Sequence, residues 1–179
     1  FINGNRIADA QVVDADNYEG DEVADFAELC KETFAVGWDY ETWSPDIPDD
    51  KINVVGSRPT GVSFCAGNNF QYAFYVPVDH RDSANLPVEI IGEFLNAIPE
   101  TTATVAHNLQ FETIVTAQNF DMVIEGGYDT AIMNSYVDEN NESGLKKCSK
   151  RELNYDQETF QEVLRKGGKS VLVSEATDD

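Results

Sequence analysis

Apolar side chains recur every three to four positions in some stretches of this chain and at every second position in others. The two periods divide it into helices and strands. Residues 1–20, rich in Asp, Asn and Gly, predict an extended or loosely ordered lead-in. Val23, Phe26, Ala27 and Cys30 then fall at i, i+3, i+4 and i+7, one face of a helix that starts at Asp21. The run Phe34-Ala35-Val36-Gly37 leads into Trp38-Asp39-Tyr40-Glu41-Thr42, the end of a buried strand. Alternation along it puts Asp39 and Glu41 on the same face. Pro45, Pro48 and Pro59, with several Asp, predict an exposed loop over 44–60. Two β-rich runs, 61–66 and 70–78, flank Gly67-Asn68-Asn69 and read as a hairpin, which with the first strand makes a three-stranded antiparallel meander. Pro87 opens a helix with Val88, Ile91, Phe94, Leu95 and Ile98 on one side. A short strand over 102–106 and a helix over 109–118 follow, then helical stretches over 129–137, 144–153 and 157–164, while 171–173 is too short to assign. Strands and helices in this order predict an α/β layered fold with a mixed sheet.

A chain of 179 residues can bury one substantial core, so one domain with a small appendage is expected. Its formal net charge of −21 stands against a phosphate-binding partner, which is ordinarily held by Lys and Arg. The distribution changes that picture, because Lys146, Lys147, Lys150, Arg151, Arg165, Lys166 and Lys169 gather in the last third while acids dominate the first fifty positions. Cys30, Cys65 and Cys148 are an odd number without CxxC spacing, which argues against a disulfide framework or a zinc module and for a reducing, cytoplasmic setting. No apolar run reaches membrane-spanning length and no basic-then-apolar leader opens the chain. A first residue of Phe1 is expected of a processed chain or a fragment.

The candidate chemistry lies in acids. Asp39 and Glu41 aim two oxygen donors into one small volume, where a divalent cation such as Mg²⁺ or Mn²⁺ removes their repulsion. His107-Asn108-Leu109-Gln110-Phe111-Glu112 sits where a strand feeds a helix, the place open α/β sheets use for ligands. Glu112 approaches the first pair if the two strands are neighbours; alternatively Asn108 is a helix cap and Glu112 a first-turn acid that favours the helix dipole. Asp129 reads as the N-cap of the next helix, His80 as a solvated loop residue and His107 as a structural histidine. Cys148, though set among lysines, lacks a His-Asp pattern and does not predict thiol chemistry.

Five segments, in order, carry a resemblance: Asp39-Tyr40-Glu41-Thr42; Gly61-Val62-Ser63-Phe64 with Tyr75-Val76-Pro77-Val78; Asn108 to Glu112; Asp129-Thr130-Ala131-Ile132-Met133-Asn134-Ser135-Tyr136; and Gly144-Leu145-Lys146-Lys147-Cys148-Ser149-Lys150-Arg151-Glu152-Leu153. Together they resemble the 3′–5′ exonuclease (proofreading) domain of family A, DNA polymerase I-type, polymerases, within the ribonuclease H-like DEDD exonuclease superfamily. The resemblance implies an exonuclease-like domain over 34–179, preceded by an N-terminal extension with one helix over 1–33. It implies a mixed sheet of three antiparallel strands followed by parallel ones. It also implies two-metal hydrolysis, with Mg²⁺ or Mn²⁺, at the 3′ end of single-stranded DNA. Asp39, Glu41 and Glu112 would be the metal-holding catalytic acids. Thr42 and Asn108 would position the terminal nucleotide with Phe111 packed beneath it, and Lys146, Lys147, Lys150 and Arg151 would touch the strand's backbone. A polymerase domain is implied in the parent chain, in the cytoplasm of a cell or of a virus's host.

Two departures qualify this. Glu112 stands where the family has Asp, and the extra methylene shifts the carboxylate against the near-ideal geometry Mg²⁺ demands. The Tyr and Asp of the third motif, Tyr-x-x-x-Asp, do not appear in the closing segment Ser174-Glu175-Ala176-Thr177-Asp178-Asp179. The chain is therefore expected to stop short of that motif and to be weak or inactive alone. The alternative reading is a degenerate nuclease-fold module that serves as a structural or interaction part of a polymerase.

Overall fold

The computed structural model describes residues 11–45, 53–67, 72–81 and 84–157. Six strands form one sheet: β1 (Gln11–Val12), β2 (Ala35–Trp43), β3 (Arg58–Ala66), β4 (Tyr72–Pro77), β5 (Ala103–Ala106) and β6 (Tyr128–Asp129). Their order across the sheet is β1-β4-β3-β2-β5-β6. β2, β3 and β4 pair antiparallel, and β1, β5 and β6 join parallel to their neighbours. The helices are α1 (Glu22–Lys31), α2 (Glu89–Ala97), α3 (Leu109–Phe120), α4 (Thr130–Val137) and α5 (Leu145–Leu153).

One face of the sheet is sealed by α1 and α2. Val36 and Trp38 of β2, Val62 and Phe64 of β3 and Val76 of β4 alternate onto that face and meet Phe26 and Cys30 of α1 and Ile91, Phe94 and Leu95 of α2. Phe26 makes edge and tilted ring contacts with Phe64, Phe74 and Phe94 at centroid separations of 5.2, 5.3 and 5.6 Å. Removing one such fully buried ring costs about 3–5 kcal/mol, which makes this cluster the anchor of the fold. The helix expected in an N-terminal extension thus belongs to the same core as the sheet.

The structure corrects several expectations. Of the lead-in expected to be extended or loosely ordered, residues 1–10 lie outside the described residues and 11–12 are extended, but as a strand of the sheet, β1, which adds to β4 at the pairs Gln11↔Phe74 and Val12↔Tyr75, while Val13 and Tyr18 pack on the core. The loop expected over 44–60 ends earlier, because Arg58, Pro59 and Thr60 already belong to β3. Pro59 is tolerated there because the register shifts between Glu41 and Thr42, and a bulge is where a strand can do without one N–H. Pro87 precedes α2 by two residues rather than opening it. His80 is buried, not solvated: Nε2 lies 2.6 Å from the Tyr75 hydroxyl, and its backbone is paired on both sides by the Asn85 amide. The same Tyr75 ring lies over Gly61, where a Cβ would fall 2.0 Å from the phenol oxygen, so glycine is what lets the ring close on β3. The helix expected over 157–164 and the segments 171–173 and 174–179 lie outside the described residues. No helix among the described residues is long and apolar enough to cross a membrane.

Candidate active site

The site follows from a mismatch in strand length. β5 is four residues long and on β2 pairs only with Ala35, Val36 and Gly37, so β2 runs on past it with an edge that no strand among the described residues covers. Unpaired backbone N–H groups need an acceptor. α3, which starts directly after β5, fills the gap, and Glu112 Oε2 accepts the Tyr40 N–H at 3.1 Å. Tyr40 lies between Asp39 and Glu41, so this one bond brings the third acid to the pair. Two further contacts repeat the grip: the Tyr40 hydroxyl pairs with Thr116 Oγ1 at 3.1 Å, and its ring stacks on Phe120 at 6.5 Å and 14°. Glu112, Thr116 and Phe120 are spaced by four, one stripe of α3.

Burial and charge act on the three carboxylates together. Asp39 is half-buried and its carboxyl is pushed up to about 6 by burial. Glu41 opens to solvent at the strand end, yet the surrounding protein and then the Asp39 charge raise it as well. Glu112 is only 2% exposed and is pushed up to about 8, first by burial and then by the Asp39 and Glu41 charges, against the lowering pull of the Tyr40 N–H. Burial, joined for Glu41 and Glu112 by the charges of neighbouring carboxylates, disfavours the ionised forms.

The other predicted site residues are distributed around this centre. Thr42 sits half-buried at the bulge, opposite Pro59. Asn108 is exposed at the start of α3 in the left-handed conformation, φ 70°, and its side chain does not cap the helix. Phe111 packs partly against the hydrophobic core. Of the cations on α5, Lys147 pairs with Glu142 at 3.3 Å, Lys150 with Asp156 at 2.5 Å, and Arg151 with Glu152 at 2.6 Å while also reaching Asn134. Three of the four α5 cations are therefore already paired with neighbouring acids.

Asp129 caps α4 by accepting from Ala131 N and Ile132 N. It does more than the sequence indicates, for it also accepts from Asn108 N at 3.1 Å and Leu109 N at 2.9 Å. Burial works to raise its carboxyl, but these four backbone donors win and hold it below the ordinary carboxylate range. Tyr40 and Asp129 are the two residues whose part was not legible beforehand. Nothing in the spacing of Tyr40 separates it from any other core aromatic, and Asp129 carries the signal of an ordinary cap.

Oxygen-only donors raised by burial, and in the two glutamates also by neighbouring carboxylate charge, fit a hard divalent cation in kind. Among the described residues no three His, Cys, Asp or Glu side chains stand arranged to hold an ion as they are, with one Glu112 oxygen engaged by the Tyr40 amide.

The mixed sheet flanked by helices, with acids at the end of its central strand, is the ribonuclease H-like exonuclease fold. Solved structures share it: RNase D of Escherichia coli, described as an exoribonuclease involved in structured RNA processing, at 11% identity and TM-score 0.62 over 86% of this chain and 36% of that one. The catalytic core of RRP6 from Trypanosoma brucei matches at 13% identity and TM-score 0.61 over 87% and 37%. NrnC of Brucella melitensis with bound Mg²⁺ matches at 17% identity and TM-score 0.50 over 84% and 62%. The chain thus spans little more than a third of the first two. No curated protein sequence matches it. Residues 18–178 match the 3′–5′ exonuclease family, and the chain belongs to that family.

Proposed function

We propose that this chain is the divalent-metal-dependent 3′–5′ exonuclease part of a DNA polymerase, removing nucleotides from the 3′ end of single-stranded DNA. The observation that carries the reading is the Glu112–Tyr40 hydrogen bond, which sets a third carboxylate beside Asp39 and Glu41. Asp39, Glu41 and Glu112 would hold Mg²⁺ or Mn²⁺, and Mg²⁺ is the cation bound in the NrnC structure. Bound ions supply Lewis-acid activation and positive charge at the scissile phosphate, which lets an acidic protein act on a polyanion. Thr42 and the exposed Asn108 would contact the terminal nucleotide, with Phe111 packed beneath it. Lys146, Lys147, Lys150 and Arg151 would contribute backbone contacts, the last three by exchanging their acidic partners for phosphate.

The test is cleavage of 5′-labelled single-stranded DNA and RNA with Mg²⁺ or Mn²⁺. A ladder shortening from the 3′ end is expected, lost in Asp39→Asn by about 100-fold or more, the loss of several kcal/mol of charge stabilisation. RNA cleavage without DNA cleavage would replace the substrate, in line with the Escherichia coli neighbour. A folded protein with no ladder on either favours a second reading, a degenerate nuclease-fold module with a structural role. The observation behind that reading is the Glu112 oxygen already engaged by backbone.

A further inference from the structure

The start of α3 is held from outside. Helix N-termini leave backbone N–H groups unpaired, and Asn108, in its left-handed conformation, makes no side-chain cap for its own helix. The acceptor comes instead from residues 127–130. Asp129 Oδ1 takes Asn108 N–H at 3.1 Å and Oδ2 takes Leu109 N–H at 2.9 Å. Oδ1 meanwhile caps α4 through Ala131 N–H at 2.8 Å and Ile132 N–H at 3.3 Å. The Thr130 hydroxyl donates to Ala106 O at 3.2 Å and so has only its lone pairs left for His107 Nδ1 at 2.9 Å, which must then carry the proton. Gly127 lets Leu109 come so close that a Cβ would lie 2.6 Å from its side chain. Ala106, His107, Asn108 and Leu109 are thus clasped in succession from one short segment.

We infer that Asp129 is a positioning residue for the candidate site: by bridging the starts of α3 and α4 it sets the placement of Glu112 and Asn108 without touching substrate or metal. Glu112 lies one turn from Leu109, so a helix start freed to tilt carries the carboxylate away from Tyr40. The consequence for catalysis rests on the exonuclease reading above, but the placement does not.

Two substitutions separate the roles. Asp129→Ser keeps a good N-cap for α4 but is too short to reach Asn108 and Leu109. Asp129→Asn keeps the Oδ1 bonds and turns an N–H donor toward Leu109, losing one contact of four. Amide hydrogen exchange, read residue by residue, is expected to quicken by about tenfold at Leu109 and at Tyr40 in Asp129→Ser, with Ile132 unchanged, and by less in Asp129→Asn. Exchange at Tyr40 reads Glu112 directly, because Glu112 is its acceptor. On whichever strand the wild type cleaves, kcat is expected to fall by about 10–100-fold in Asp129→Ser, more than KM moves, and to recover in part in Asp129→Asn. Unchanged Tyr40 exchange in a folded variant overturns the proposal, as does acceleration spread evenly over all amides, which would mark general destabilisation. If Asp129→Ser does not fold, the same readings on Asp129→Asn decide. A wild type that cleaves neither strand defeats the exonuclease reading and leaves the exchange result to judge Asp129 by itself.

Discussion

Glu112 serves structure and site at once, and the two uses pull in opposite directions. Its carboxylate closes the open edge of β2 at the Tyr40 amide, yet it is buried beside two other acids. The folded state holds protons on Asp39 and Glu112 more tightly than the unfolded chain does, about 6 and about 8 against ordinary values of 3.8 and 4.5. The native state therefore binds more protons, and stability falls as pH rises from the unfolded values through the folded ones. In metal-free buffer the unfolding midpoint is expected to drop between about pH 5 and about pH 8. Glu112→Gln, which still accepts the Tyr40 N–H, should flatten the upper part of that fall and be more stable than wild type near pH 8. Denaturation curves across this range check it; a wild type that gains stability toward pH 8 contradicts it.

Between elements, the decisive fit is α3 against β2. Three groups of Tyr40 are held by three α3 residues: the amide by Glu112, the hydroxyl by Thr116 and the ring by Phe120. Tyr40→Phe keeps the first and third but leaves the Thr116 hydroxyl, fully buried, without its partner. A cost of about 1–3 kcal/mol is expected in chemical denaturation. The double variant Tyr40→Phe with Thr116→Val should lose less than Tyr40→Phe alone, because removing both polar partners together is nearly neutral. The helix that supplies the third acid also holds the loop leading back from the site, through Gln118 to Gly56 N and Val54 O and Asn119 to Ser57 O.

Across the whole molecule, charge is the dominant feature. A net −21 spread over a small domain repels itself, and the ion pairs on α5 consume part of what little positive charge there is. Raising NaCl from about 50 mM to about 500 mM is expected to raise the unfolding midpoint by screening this repulsion. MgCl₂ at equal ionic strength should raise it further if the carboxylates take up the ion. Equal midpoints in the two salts would count against a divalent site in the folded protein.

Local pattern alone determined most of the elements here. The i, i+3, i+7 spacing of Val23, Phe26 and Cys30, the alternation through Asp39 and Glu41, and the hairpin of β3 and β4 are legible because burying an amphipathic face imposes a period on neighbours in sequence. Ordered motifs carried the family in the same way. What tertiary structure decided was every relation between segments far apart: that β5 stops short and leaves β2 an open edge, that Glu112 closes it, that Asp129 spans two helices, and that His80 is buried under Tyr75. A short strand, a cap and a loop histidine have the same local signature whatever they meet across the fold, because hydrogen-bond partners are chosen by distance in space, and sequence spacing does not encode that distance.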